Sequence, residues 1–125
     1  INAGSPYYGI RSVYDGRYRY IVNVTPEATF QNVETRSPLF KEWKSLAETD
    51  SHAKAMTTKY QHRPAIELYD VKNDPYCMKN LAEDAKQAST ISRLDKELKR
   101  WMKDCGDEGQ PTEMRAFEHM PGKRK

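Results

Sequence analysis

The stretch Gly9 to Asn23, GIRSVYDGRYRYIVN, decides the reading of the fold. Two β-prone runs, Ile10 to Tyr14 and Arg17 to Val22, flank Asp15-Gly16, a pair suited to the positive φ angles of a two-residue type I′ hairpin turn. Side chains alternate across a strand, so a turn centred on Asp15-Gly16 sets Val13 opposite Tyr18 and Arg11 opposite Tyr20. That register predicts one aromatic face carrying both tyrosines and one wet face carrying Arg17 and Arg19. Thr25-Pro26 closes the second strand, because proline cannot donate to a ladder, and Glu27 to Arg36 shows no period and reads as a loop.

Beyond the loop, Ser37-Pro38 is an N-cap followed by proline at the first helical position. Leu39, Phe40, Trp43, Leu46 and Ala47 then recur at helical spacing, predicting a helix from Pro38 to Glu48. Asp50-Ser51 caps a second helix with Ala53, Met56 and Tyr60 on its apolar side, ended by Pro64. Ala65 to Val71 alternates as a half-buried strand, Asn73-Asp74-Pro75 forces a turn, and Tyr76 to Met78 reads as a further short strand. The last regular element starts between Asp84 and Ser89, carries Ile91, Leu94, Leu98, Trp101, Met102 and Cys105 on one stripe, and is terminated by Gly106. With Trp101 in mid-stripe, Trp101→Ala is expected to cost about 3 to 5 kcal/mol in lost core volume. Asp107 to Lys125 has no periodicity and reads as a tail ending in Lys123-Arg124-Lys125. The fold class is therefore α+β, a small antiparallel sheet of about four strands packed against a long C-terminal helix, with residues 1–106 as the folded unit and 107–125 as the tail.

A chain of 125 residues with 37% hydrophobic content buries one modest core. The net charge of +3, from 21 basic and 18 acidic residues, resides in the terminal basic cluster, so composition argues against a nucleic-acid partner. No apolar run is long enough to span a membrane. The chain opens at Ile1 without a basic, apolar leader, which reads as a segment of something longer. Cys77 and Cys105 are too few for a disulfide framework and sit at no metal-ligand spacing with the three histidines; a single bridge between them stays open.

No catalytic constellation emerges. Neither cysteine lies in a nucleophile context, no serine sits in a Gly-x-Ser-x-Gly elbow, and no glycine-rich phosphate loop is present. Asp70 and Asp74 read as turn caps rather than an acid/base pair, and His62 as a helix C-terminal residue rather than a base. Arg17-Tyr18-Arg19-Tyr20 has the composition of a polyanion platform, but alternation sends its tyrosines and arginines to opposite faces. Asn23-Val24-Thr25 is a glycosylation sequon, weakened by the Pro26 that follows.

Two segments carry a family resemblance. Ile10-Arg11-Ser12-Val13 with Arg17-Tyr18-Arg19-Tyr20-Ile21 is similar to the hairpin opening the C-terminal subdomain of many sulfatases. Glu67-Leu68-Tyr69-Asp70, Asn73-Asp74-Pro75 and Asn80-Leu81-Ala82 resemble the sulfatase pattern E-L-Y-D, D-P, N-L-A, and the match covers most of Gly9 to Asp107. Val22 to Phe30, Ser37 to Phe40 and Arg63 to Asp70 further resemble the heparan N-sulfatase, or sulfamidase, branch; Tyr14, Cys77 and Cys105 depart from it.

The resemblance implies hydrolysis of sulfate esters or N-sulfates on heparan-type glycosaminoglycan sugars, in an exported, periplasmic or lysosomal protein. It also implies formylglycine, made within a C/S-x-P/A-x-R signature, and calcium, both in an N-terminal catalytic domain that would be this chain's partner. The signature does not occur in this sequence, so the fragment alone is expected to be inactive and to carry no cofactor. Tyr7, Tyr8 and Arg11, just ahead of or within the hairpin, are the candidate substrate-binding residues under that resemblance; interdomain packing by the tyrosines and a carboxylate partner for Arg11 are the alternative. A stand-alone polyanion-binding module, resting on Arg11, Arg17, Arg19 and the basic tail, and a purely structural interaction module are the rival readings.

Overall fold

The computed structural model describes residues 8–115. Three strands, β1 (Ile10–Tyr14), β2 (Tyr18–Asn23) and β3 (Ile66–Asp70), form an antiparallel sheet in the order β1-β2-β3. Helices α1 (Pro38–Leu46) and α2 (Ser51–Gln61) fill the connection between β2 and β3, and α3 (Ala88–Asp104) and α4 (Gln110–Met114) follow. The architecture is α+β as expected, with three strands rather than four. Tyr76 to Met78 forms no strand because Asp74 turns the chain tightly: its carbonyl accepts from the Cys77 amide and its carboxylate from the Lys79 amide. Cys77 adopts a left-handed φ of 53° there, which no strand tolerates.

The hairpin forms, but its register is displaced by two residues. Val13 pairs with Tyr20, Arg11 with Val22 and Tyr14 with Arg19. The two central turn residues are therefore Gly16 and Arg17, with Gly16 at a φ of 99°; a lone glycine with positive φ in first position is the type II′ pattern, not type I′. The cause is Asp15, whose Oδ1 accepts from both the Arg17 and Tyr18 amides and so holds the turn one residue later. Arg93 on α3 pairs with the same carboxylate, and together these donors hold Asp15 down to about 2.

A shift of two preserves the faces. Tyr20, Leu68, Leu94 and Leu98 form the buried centre between sheet and α3, with Val13, Tyr18, Val22, Leu81, Ile91 and Met102 packed around it. Each fully buried leucine contributes on the order of 1.5 to 3 kcal/mol. The buried Tyr20 hydroxyl donates to Asp95, which also pairs with Lys99 four residues on, and burial raises the phenol to about 12. Trp101 does not join this core: it is 57% exposed, and Cys105 is exposed too, so the stripe read from periodicity is wider than the surface it meets.

The second face is not wet. Ile21, Asn23, Glu67 and Tyr69 lie on it and all are buried. Nor is β3 half-buried, since Glu67, Leu68, Tyr69 and Asp70 are buried in succession. Its outer edge is covered by Asn80-Leu81: Asn80 Oδ1 accepts from the Leu68 amide at 2.9 Å, Nδ2 donates to the Ile66 carbonyl, and the Leu81 amide donates to the Leu68 carbonyl at 2.8 Å. A side chain thus completes the ladder where another strand would otherwise add.

Past α3 the chain folds back rather than trailing away. Arg11 forms ion pairs with Asp107 and Glu113, which tie α4 to β1. Gly9 permits this approach, because a Cβ there would strike the Glu113 side chain. The basic cluster 123–125 lies outside the described residues.

Candidate functional site

The second face of the sheet carries a buried polar network with Glu67 at its centre. Arg63 follows the end of α2 and reaches Glu67 four residues on, its Nε donating to Oε1 at 2.8 Å. Asn23 Nδ2 donates to the same oxygen at 2.7 Å and to the Pro64 carbonyl, while the Tyr69 hydroxyl donates to Oε2. Burial pushes the Glu67 carboxyl up, but these donors outweigh it and leave the group below the usual carboxylate range. Burial and the neighbouring carboxylate drive the Tyr69 phenol upward. Asn23 is 2% exposed and spends its amide nitrogen internally, which removes the sequon as a glycan site.

Above this network lies an open groove of about 470 Å³. Ile21, Tyr69 and Glu67 line its floor, and Phe30, Trp43, Tyr60 and Tyr76 line it with aromatic rings. Phe30 and Tyr60 meet edge to face at 5.8 Å, and Phe40 packs behind them against both Tyr60 and Trp43. Tyr76 is 85% exposed at the lip. Three cations, Arg19, Lys59 and Arg63, converge on the same groove against the single carboxylate of Glu67. Lys59 reaches from α2 across the Tyr69 ring to the Cys77 and Met78 carbonyls, which the left-handed Cys77 backbone turns toward it.

The residues singled out from sequence fall in different places. Tyr8 packs edge to face on Phe30 at 5.2 Å, behind the groove wall, and its buried hydroxyl faces the Arg63 backbone with no hydrogen-bond partner among the described residues. Arg11 is on the opposite face, committed to Asp107 and Glu113. Tyr7 lies outside the described residues. The polyanion platform is dismantled: Arg17 pairs with Asp70 at 2.7 Å, Tyr18 and Tyr20 turn to the α3 core, and only Arg19 is left, over the Tyr14 ring. Asp70 and Asp74 act in the turn, as expected, accepting from Asn73 and Lys79 respectively.

Cys77 and Cys105 are free thiols. Among the described residues no group of three or more His, Cys, Asp or Glu side chains could hold a metal, so the calcium expected from the resemblance finds no fitting seat in them. Among the same residues no helix is long and apolar enough to cross a membrane.

No protein-family model matches the chain. Two curated proteins do, both described as ulvan-active sulfatases of Formosa agariphila. One is 34% identical over 108 residues, 83% of this chain; the other is 32% identical over 97 residues, 78% of it. The chain spans 18% of the length of each relative. A match of that extent takes in β3 and the Asn80 cover wherever it begins, so the chain is sulfatase-related in that part.

Proposed function

We propose that this chain is the C-terminal subdomain of a sulfatase that hydrolyses sulfate esters on a polysaccharide, and that it has no activity alone. The observation that carries the reading is the match over most of the chain to about a fifth of a longer ulvan-active sulfatase. Within the matched part, Glu67, Asn80 and Leu81 hold β3 in place, a structural office that requires no catalytic role of them. Formylglycine and calcium belong, on this reading, to an N-terminal catalytic portion, and the whole protein is exported to where its polymer is. Both relatives are named for ulvan, which supports an ester-bearing polysaccharide over the N-sulfated heparan substrate of the sulfamidase branch.

The encoding reading frame tests the proposal most directly. It should continue upstream of Ile1 into a C/S-x-P/A-x-R signature, and a stop codon or an unrelated domain there refutes it. The isolated chain should release no sulfate from an aryl sulfate, with or without calcium, above a heat-killed control; measurable turnover would refute its dependence on a separate catalytic portion.

A further inference from the structure

We propose that the groove between β2, β3 and α2 is a subsite for an anionic sugar unit, one that this chain offers without any catalytic partner. The inference deepens the sulfatase reading by assigning a polysaccharide contact to residues within this chain, but it rests on the groove's own chemistry.

Two features set the ligand class. The first is the aromatic lining. Trp43 and Tyr60 are each more than a third exposed, and Tyr76 stands out at the lip, so ring faces are available to the apolar C–H faces of a sugar. The rings are braced from behind, since Phe40 packs on both Trp43 and Tyr60, so little ordering is left for a ligand to impose.

The second feature is charge. Arg19, Lys59 and Arg63 bring three positive charges, and Glu67 returns one. Arg63 commits only Nε to Glu67, leaving its terminal amino groups for a ligand, and Lys59, with three donors, spends two on the Cys77 and Met78 carbonyls. Arg19 carries no ion pair among the described residues. A purely apolar protein segment seated here would leave those cations desolvated and unpaired, which is costly. A neutral sugar would stack on the rings but leave the charges unanswered. A sulfate- or carboxylate-bearing sugar answers both, and the volume of about 470 Å³ fits one or two sugar rings.

The test uses the 125-residue chain and ulvan oligosaccharides before and after chemical desulfation, with inorganic sulfate as a third probe, read by calorimetry and by tryptophan fluorescence. The sulfated oligosaccharide should bind, weaken as salt is raised and perturb Trp43 emission, while the desulfated form binds at least about tenfold less tightly. Trp43→Ala and Arg19→Gln should each lower affinity about five- to tenfold with the far-UV circular dichroism of the folded chain retained, while Trp101→Ala, remote on α3, leaves binding intact.

Equal binding of sulfated and desulfated forms, no binding of either, binding of inorganic sulfate as tight as the oligosaccharide, or indifference to Trp43→Ala and Arg19→Gln would each overturn the subsite. These outcomes separate from the parent reading. Sugar binding with no upstream signature would keep the subsite and remove the sulfatase, and an upstream signature with no sugar binding would do the reverse.

Discussion

Glu67 offers the sharpest test of what holds the second face of the sheet together. It is 3% exposed, and its carboxylate accepts from Arg63, Asn23 and Tyr69. Glu67→Gln keeps the shape and can keep the bonds: the amide oxygen accepts from Arg63 and Asn23, while the amide nitrogen donates to a reoriented Tyr69 hydroxyl. What goes is the charge. The Asn23 and Tyr69 bonds drop from charge-assisted to neutral strength at about 1 kcal/mol apiece and the Arg63 guanidinium loses its counter-charge, offset in part by no longer burying a carboxylate, so the net cost should be about 2 kcal/mol. Glu67→Ala also leaves three donors unpaired and should cost about 3 to 5 kcal/mol.

Acid gives a second reading of the same network. The folded-state carboxyl lies below its unfolded value of 4.5, so its stabilisation is fully present above that value and is lost as pH falls through the lower folded value. The gap between wild type and Glu67→Gln should therefore be widest near neutrality and close in acid. Urea denaturation followed by far-UV circular dichroism, at about pH 7 and in steps below about pH 4.5, measures it. A Gln variant within about 0.5 kcal/mol of wild type at neutral pH, or a gap indifferent to acid, refutes the assignment of charge as the organising term. A double-mutant cycle with Arg63→Met should give a coupling of about 1 kcal/mol or more.

Three further outcomes follow from burial and pairing. Leu98→Ala should cost about 2 to 5 kcal/mol and Trp101→Ala no more than about 0.5, the reverse of the order that the helix stripe suggests; chemical denaturation of the pair decides it. Arg11→Met should free α4, so that amide exchange in Gln110–Met114 accelerates at least about tenfold while β3 keeps its protection; unchanged exchange in α4 would mean the ion pairs do not hold it. Under native conditions Cys105 should react with a thiol reagent faster than the half-buried Cys77, and a non-reducing gel should show no internal bridge.

The hairpin shows where sequence reading succeeds and where it stops. Composition located both strands and a turn near Asp15-Gly16, but the displaced register depends on Asp15 capping two amides, an arrangement that turn propensity alone does not separate from its neighbour. Because the displacement is even, every side chain kept its face, and the α3-facing core of Tyr20, Leu68, Leu94 and Leu98 was legible. Periodicity gives the direction a helix faces and not the width of the surface beneath it. Trp101, at the rim of the stripe, is left 57% exposed.

The second face was misread for a different reason: alternation treats Asn23 and Glu67 as solvent residues, whereas mutual pairing makes them buried ones. The groove was the least legible part of all. Trp43 reads as a helix stripe residue, Tyr76 as a strand residue and Arg19 as hairpin surface, and each reading taken singly is sensible. Their convergence is a property of the β2–β3 connection folding back over the sheet, fixed by contacts such as the Phe30 amide donating to the Gln61 carbonyl. A site made by tertiary convergence leaves no spacing in the chain to find.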